Sequence, residues 1–379
     1  MIYADNAATT KICDSAFEKM LPFLREQYGN ASSQYSLGAK AKRAVEEARK
    51  KIAAAIGAES LEITFTSGGS EANSWAIRCF AETYRNKPVH IITSAIEHHS
   101  VRNTCHALEQ NGIDVTWLPV KTTGLVDAAD VEAAIKPHTK LVSIMLANNE
   151  ISTIQPIEEI GRLLKDKNIV LHTDAVQAVG HIPVDVKALQ IDFLTASAHK
   201  FNGAKGTGIL YKRSGLGISP LIFGGEQERG LRAGTENVAG IVAAGYAIEE
   251  SAGMMSDEAK RLCEMVEITI RGVKEKIPSV RVNGDTASRL PGIINLGFCD
   301  VSGEALVHLL DLKGICVSAS AACTSGRDEP THVLLALGQN EQQAKSAIRI
   351  SYGRYNTMDE AAVIASAICD AYAKIKANL

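Results

Sequence analysis

The chain has 379 residues, 46 % of them hydrophobic and 5 % aromatic, with a formal net charge of −3. That size and apolar content suit a soluble globular protein with one large and one smaller core, and the balanced charge makes nucleic acid a poor candidate ligand. No apolar run reaches a membrane span, and the eight cysteines have neither the Cys-x-x-Cys spacing of a zinc knuckle nor a disulfide pattern.

The start, Met1-Ile2-Tyr3-Ala4-Asp5-Asn6, lacks the basic residues and apolar core of a secretory signal, so the sequence predicts a cytoplasmic protein. From about residue 61 to 211, short β-rich runs at 61–65, 90–93, 141–146, 168–173 and 191–195 alternate with amphipathic helical patterns. Such alternation predicts a mainly parallel sheet covered by helices on both faces, with ligands at the carboxyl ends of the strands. Every polar cluster falls at one of those ends.

The first cluster, Thr66-Ser67-Gly68-Gly69-Ser70-Glu71, follows a strand and opens a helix running to about Tyr84. Its free amides and the helix dipole make it a phosphate cradle, although a simple N-cap by Ser70 explains the same residues. It is neither a Walker loop nor a dinucleotide fingerprint, and Gly203-Ala204-Lys205-Gly206-Thr207-Gly208 precedes a strand-like run rather than a helix. His98 and His99 stand just past the next strand, where an imidazole can stack on a flat ring and exchange protons near neutral pH. Two adjacent histidines are poor evidence for metal. Farther on, Asp174 and Gln177 follow the 168–173 run. Ser197-Ala198-His199-Lys200 closes the 191–195 run and places one amine in an otherwise uncharged stretch. A lysine in apolar surroundings loses some preference for its charged form, and the neutral amine can form a Schiff base. A lysine for an aldehyde and an acid for a ring nitrogen are what pyridoxal phosphate demands.

Residues 236–276 read as one long helix joining two domains, and beyond Pro278 strands at 280–282, 292–297 and 315–318, a helix at 304–313 and a final helix from Asp359 suggest a smaller α+β domain. Within it the run from Val317 to Gly326 has no anchoring side chain, so Cys323 is expected on an exposed, mobile loop. An accessible cysteine becomes a nucleophile where its thiolate is favoured. Arg354, just past the 347–350 strand, is taken as the fork for a substrate carboxylate, with Arg349 as the competing candidate.

Taken together these segments resemble the class V aminotransferase group, and within it the cysteine desulfurases of the NifS/IscS type. The likeness runs from Tyr3-Ala4-Asp5-Asn6-Ala7-Ala8-Thr9-Thr10 through the phosphate loop, Glu97-His98, Asn148-Asn149-Glu150, His172-Thr173-Asp174-Ala175-Val176-Gln177 and the lysine tetrad. It continues through Arg232-Ala233-Gly234-Thr235-Glu236-Asn237 and Ser320-Ala321-Ala322-Cys323-Thr324-Ser325 to Arg354, nearly the full chain. The resemblance implies an α/β fold type I, pyridoxal-phosphate-dependent transferase: a large domain over 16–256 with a mainly parallel sheet, and a small α+β domain of 1–15 and 257–379 carrying the cysteine loop. Lys200 would hold the cofactor covalently, Asp174 would pair with its ring nitrogen, and Gln177 and Asn149 would contact its phenolic oxygen. His98 would stack on the ring, and Gly69, Ser70, Ser197 and His199 would hold the phosphate. Thr235 would reach the phosphate of a second copy in a homodimer. Arg354 with Asn149 would hold the substrate carboxylate, and Cys323 would accept sulfur from L-cysteine, leaving L-alanine, and pass it to an iron-sulfur scaffold or a tRNA-thiolation enzyme. His98 and Lys200 would carry protons. Glu226 stands where the group commonly has a third glycine, and Ala4 replaces a bulkier residue. An aminotransferase, a selenocysteine lyase, or a sulfur-relay protein with a degenerate site are the competing readings.

Overall fold

The computed structural model describes residues 1–84, 87–319 and 330–378. Its largest element is a seven-stranded sheet, in the spatial order Ile63–Thr66, Gly208–Lys212, Phe193–Ser197, Val170–Asp174, Thr139–Ser143, His90–Ser94 and Asp114–Leu118. Only Gly208–Lys212 runs against the others. Strands Ile63–Thr66, His90–Ser94, Val170–Asp174 and Phe193–Ser197 are buried at every residue, as a sheet covered on both faces requires. All five expected strands of this region are present, each within a few residues of its expected bounds. Asp114–Leu118 was not expected. It lies at the sheet edge and is mostly half-buried, so it needs no continuous apolar run to form.

A second, four-stranded antiparallel sheet takes the order Ser318–Ala319, Ala347–Ser351, Ile293–Gly297 and Arg281–Asn283. The expected strand at 315–318 is split: Ile315–Cys316 pairs in parallel with Ile2–Tyr3, whereas Ser318–Ala319 joins the four-stranded sheet. Helix Val238–Lys276 joins the two parts. Asn237 caps its start by accepting from the Gly240 amide, and Pro278 lies just past its end. Its first half, including Ile241, Ala244 and Ile248, packs into the core of the large sheet; its second half, from Leu262 to Val273, packs into a separate core with Leu296, Ile348 and Ile364. Two helices that the sequence reading did not pick out, Asp14–Arg25 and Ser36–Ala55, lie along this long helix. Among the described residues no helix is long and apolar enough to cross a membrane.

Two details set the rim where the strands end. Arg49, 3 % exposed, forks onto both carboxylate oxygens of Glu228 at 2.8 and 2.9 Å, which fixes a loop whose Glu228 and Arg229 adopt left-handed backbone angles (φ 46° and 60°). A Cβ on Gly208 would come within 2.4 Å of the Gly68 carbonyl carbon and of the Thr66 hydroxyl, so only glycine lets the 66–70 turn lie on the reversed strand.

Candidate active site

Strand Phe193–Ser197 ends in a single tight turn, Ala198–Lys200, which brings the Lys200 side chain to the strand-end rim. Its Nζ donates to the carbonyl oxygens of Ala7 (2.6 Å) and Ala8 (2.8 Å). The segment that supplies these carbonyls is tied down in turn: the Thr10 amide and hydroxyl both donate to the His199 carbonyl, at 3.0 and 2.9 Å. Between this segment and the strand ends lies a cavity of about 310 Å³. Gly69, Ser70, His98, Asn149, Asp174, Gln177, Ser197, His199 and Lys200 all line it, bringing together nine positions that the resemblance assigned.

Asp174 ends strand Val170–Asp174 and is 5 % exposed. One carboxylate oxygen accepts from the Val176 amide at 3.0 Å and the other from the Asn73 side-chain amide at 2.6 Å. Both of these donors are neutral amides. A buried carboxylate on the wall of a cavity favours a positively charged group in that cavity. At one side the first-turn amides of the helix that begins Gly69–Ser74 have no intrahelical acceptor, and Ser70, Ser197 and His199 stand beside them. An amine, a buried acid and an amide-lined anion cradle on one cavity are the set that pyridoxal phosphate requires, so the residues present fit that cofactor.

Burial sets the protonation states around the cavity. It pulls His199 down to about 4, helped by Lys200 and Lys205. It also lowers His98, where the pull of Asp174 in the other direction is partly cancelled by Lys200. Glu97, wholly buried, is pushed up to about 8. One Glu97 oxygen accepts from the Ser94 hydroxyl (2.6 Å) and the Met145 amide (3.0 Å), while the other is buried without a partner, as suits a carboxyl that keeps its proton. Burial likewise raises Glu150 to about 7, against the Thr331 hydroxyl and Arg349.

The structure corrects one assignment. Arg354 does not line the cavity; its guanidinium is held by Glu250 and donates to the Ser251 hydroxyl at 3.0 Å, both on the long helix. Arg349 lines it instead, donating to the Asn149 carbonyl at 3.0 Å and to Asp5 at 2.8 Å. The reason is strand alternation: Ile348 and Ile350 face the second core, so Arg349 between them points the other way, whereas Arg354 lies beyond the strand end. That alternation is legible in Ala347-Ile348-Arg349-Ile350 and could have decided the choice. Thr235 is exposed and outside the cavity of its own chain. Cys323 lies outside the described residues. The sequence reading also passed over Asn73 and Ser100, both cavity-lining; neither has a sequence signal beyond its place on a helix that starts at the rim.

Residues 2–363 match the family described as "Aminotransferase class-V". The chain is 49 % identical over 359 residues to "Cysteine desulfurase IscS" of Dictyoglomus turgidum, covering 95 % of this chain and 91 % of that one. It is 48 % identical over 359 residues to the protein of the same name from Methanosarcina thermophila, covering 95 % and 89 %. Among solved structures, one titled "NIFS-LIKE PROTEIN" superposes with a TM-score of 0.93 at 38 % identity, covering 98 % of this chain and 99 % of that one.

Proposed function

We propose that this chain, which belongs to the class-V aminotransferase family, is a cysteine desulfurase that converts L-cysteine and its own Cys323 thiol into L-alanine and a Cys323 persulfide. The observation that carries the reading is the single cavity shared by Lys200, Asp174 and Arg349, in a chain 49 % identical to a protein named as a cysteine desulfurase.

Pyridoxal phosphate, when bound, supplies an aldehyde for an amine and a cationic ring that draws electrons from the substrate α-carbon. Lys200 would hold it covalently, and Asp174 would keep the ring nitrogen protonated. His98 would lie against the ring, and Gln177 and Asn149 would meet its phenolic oxygen. Gly69, Ser70, Ser197 and His199 would hold the phosphate, joined by Thr235 of a second copy in a homodimer. Arg349 replaces Arg354 as the proposed carboxylate fork, because a planar guanidinium on the cavity wall can bind a carboxylate through two parallel hydrogen bonds. Lys200 moves the proton at the substrate α-carbon, with His98 beside it on the same cavity. The Cys323 thiolate takes the substrate sulfur atom and later yields it to an acceptor, for which an iron-sulfur scaffold or a tRNA-thiolation enzyme is proposed. The division into 16–256 and 1–15 with 257–379 is supported by the two cores, since the long helix changes core between Ile248 and Leu262. A cytoplasmic location suits a thiol that must stay reduced.

The deciding experiment supplies L-cysteine and a thiol reductant and measures alanine and sulfide from wild type and Cys323→Ala. Loss of both products in the variant is expected. Equal sulfide from the two proteins refutes persulfide transfer and favours an aminotransferase or lyase that needs no cysteine.

A further inference from the structure

Along the wall of the cavity a chain of hydrogen bonds runs from Asp174 to His98 through two residues with no role so far. Asn73, 1 % exposed, donates its amide nitrogen to Asp174 Oδ2 at 2.6 Å. An amide oxygen at that place would face a carboxylate oxygen, so the orientation of the amide is forced. The same nitrogen donates its second hydrogen to the Ser100 hydroxyl at 2.9 Å. Asn73 keeps this orientation although its own oxygen is then buried without a partner.

The Ser100 hydroxyl oxygen lies 2.8 Å from His98 Nδ1. The Ser100 backbone amide donates to the same Nδ1 at 3.1 Å. That amide belongs to the first turn of helix His99–Gln110, so it has no intrahelical acceptor and His98 serves as the cap. A backbone N–H can only donate, so the Nδ1 that meets it carries a lone pair and no proton, and the Ser100 hydroxyl beside it is then a donor as well. In a neutral imidazole the hydrogen must then sit on Nε2.

We propose that Asn73 and Ser100 are positioning residues that lock the neutral His98 ring with its proton on Nε2, so that His98, a residue of the cavity wall, offers an N–H hydrogen-bond donor. An Nε2–H donates a hydrogen bond but has no lone pair with which to take a proton, and Nδ1 is occupied. The proton from the substrate α-carbon then falls to the Lys200 amine, with His98 holding its partner by a hydrogen bond. The assignment of that transfer rests on the desulfurase reading; the location of the His98 proton rests on geometry.

The test is nitrogen NMR of the wild-type holoenzyme labelled with ¹⁵N-histidine, with His98→Gln used to identify the His98 signals. Two-bond proton–nitrogen correlations at pH 7.5 should show a protonated Nε2 and an unprotonated Nδ1. A proton on Nδ1, or on both nitrogens, overturns the proposal. In steady-state assays S100A should lower kcat for alanine formation about tenfold, roughly the loss of one hydrogen bond, with KM for L-cysteine within about twofold. S100T, which keeps the hydroxyl, should restore kcat; unchanged kcat in S100A, or no rescue in S100T, overturns the role of Ser100. A holoenzyme that shows the Nε2–H form and yet makes no alanine from L-cysteine refutes the desulfurase reading and leaves the tautomer assignment standing.

Discussion

Replacing Arg349 and Arg354 by glutamine, one at a time, separates the residue that binds substrate from the residue that braces the fold. Arg349 is 4 % exposed, is anchored by Asp5 and the Asn149 carbonyl, and has a buried Nε with no acceptor. A hydrogen bond from such a cation to a substrate carboxylate contributes about 1.5–3 kcal/mol. At about 1.4 kcal/mol per decade, its loss in R349Q lowers kcat/KM roughly 10- to 150-fold, most of it as raised KM because the carboxylate is bound in ground and transition states alike. R349K keeps the charge without the planar fork and should recover only part of this loss. Arg354, in contrast, touches Glu250 and Ser251 on the long helix, with Glu258 at 3.7 Å. R354Q strands those partners and should cost about 1–3 kcal/mol in stability while leaving KM within about twofold. The assay is initial-rate alanine formation over a range of L-cysteine concentrations, alongside thermal unfolding of each variant. A raised KM in R354Q together with a wild-type KM in R349Q would refute the strand-alternation argument.

Lys200→Ala should abolish covalent capture of pyridoxal phosphate: after borohydride treatment, mass spectrometry finds the adduct on the wild-type Lys200 peptide and none on the variant. Because burial holds the Glu97 proton up to about pH 8, against an ordinary value of 4.5, the folded state binds more protons than the unfolded one between these limits. Wild-type stability from this group therefore falls as pH rises from 5 to 8, and the melting temperature of E97Q should gain on wild type over that window; a constant gap contradicts a neutral Glu97. Thr331→Val removes the hydroxyl that donates to buried Glu150 at 2.7 Å and should cost about 1–3 kcal/mol in denaturant unfolding, whereas Thr331→Ser should cost clearly less. Arg49→Met leaves the Glu228 carboxylate buried without its partner and should destabilise by about 3–5 kcal/mol, seen as an earlier unfolding transition.

The legible part of the fold was the part that is buried on both faces. Runs such as Phe193–Ser197 have to be continuously apolar or small to lie inside a covered sheet, so composition marks them; the edge strand Asp114–Leu118 and the bracing helices Asp14–Arg25 and Ser36–Ala55 answer to weaker local rules and were passed over. Site residues at strand ends were legible for a related reason: in parallel α/β sheets the carboxyl ends share one rim, and Lys200, Asp174, His98 and Gly69 each follow a recognisable strand.

By itself the sequence determined which chemistry was present: one amine, one acid, an amide cradle and the Cys323 thiol, in an order that matches one family. The Ile348-Arg349-Ile350 alternation puts Arg349 opposite the two isoleucines, but tertiary structure decided that this opposite side meets the cavity, because what a strand face meets is set by what packs against it. It also decided that the carbonyls of Ala7 and Ala8 close over the Lys200 amine and that Asn73 and Ser100 join Asp174 to His98. Those contacts lie between segments separated by as much as 193 positions in the chain, and no local pattern of residue types encodes the direction in which two such side chains turn.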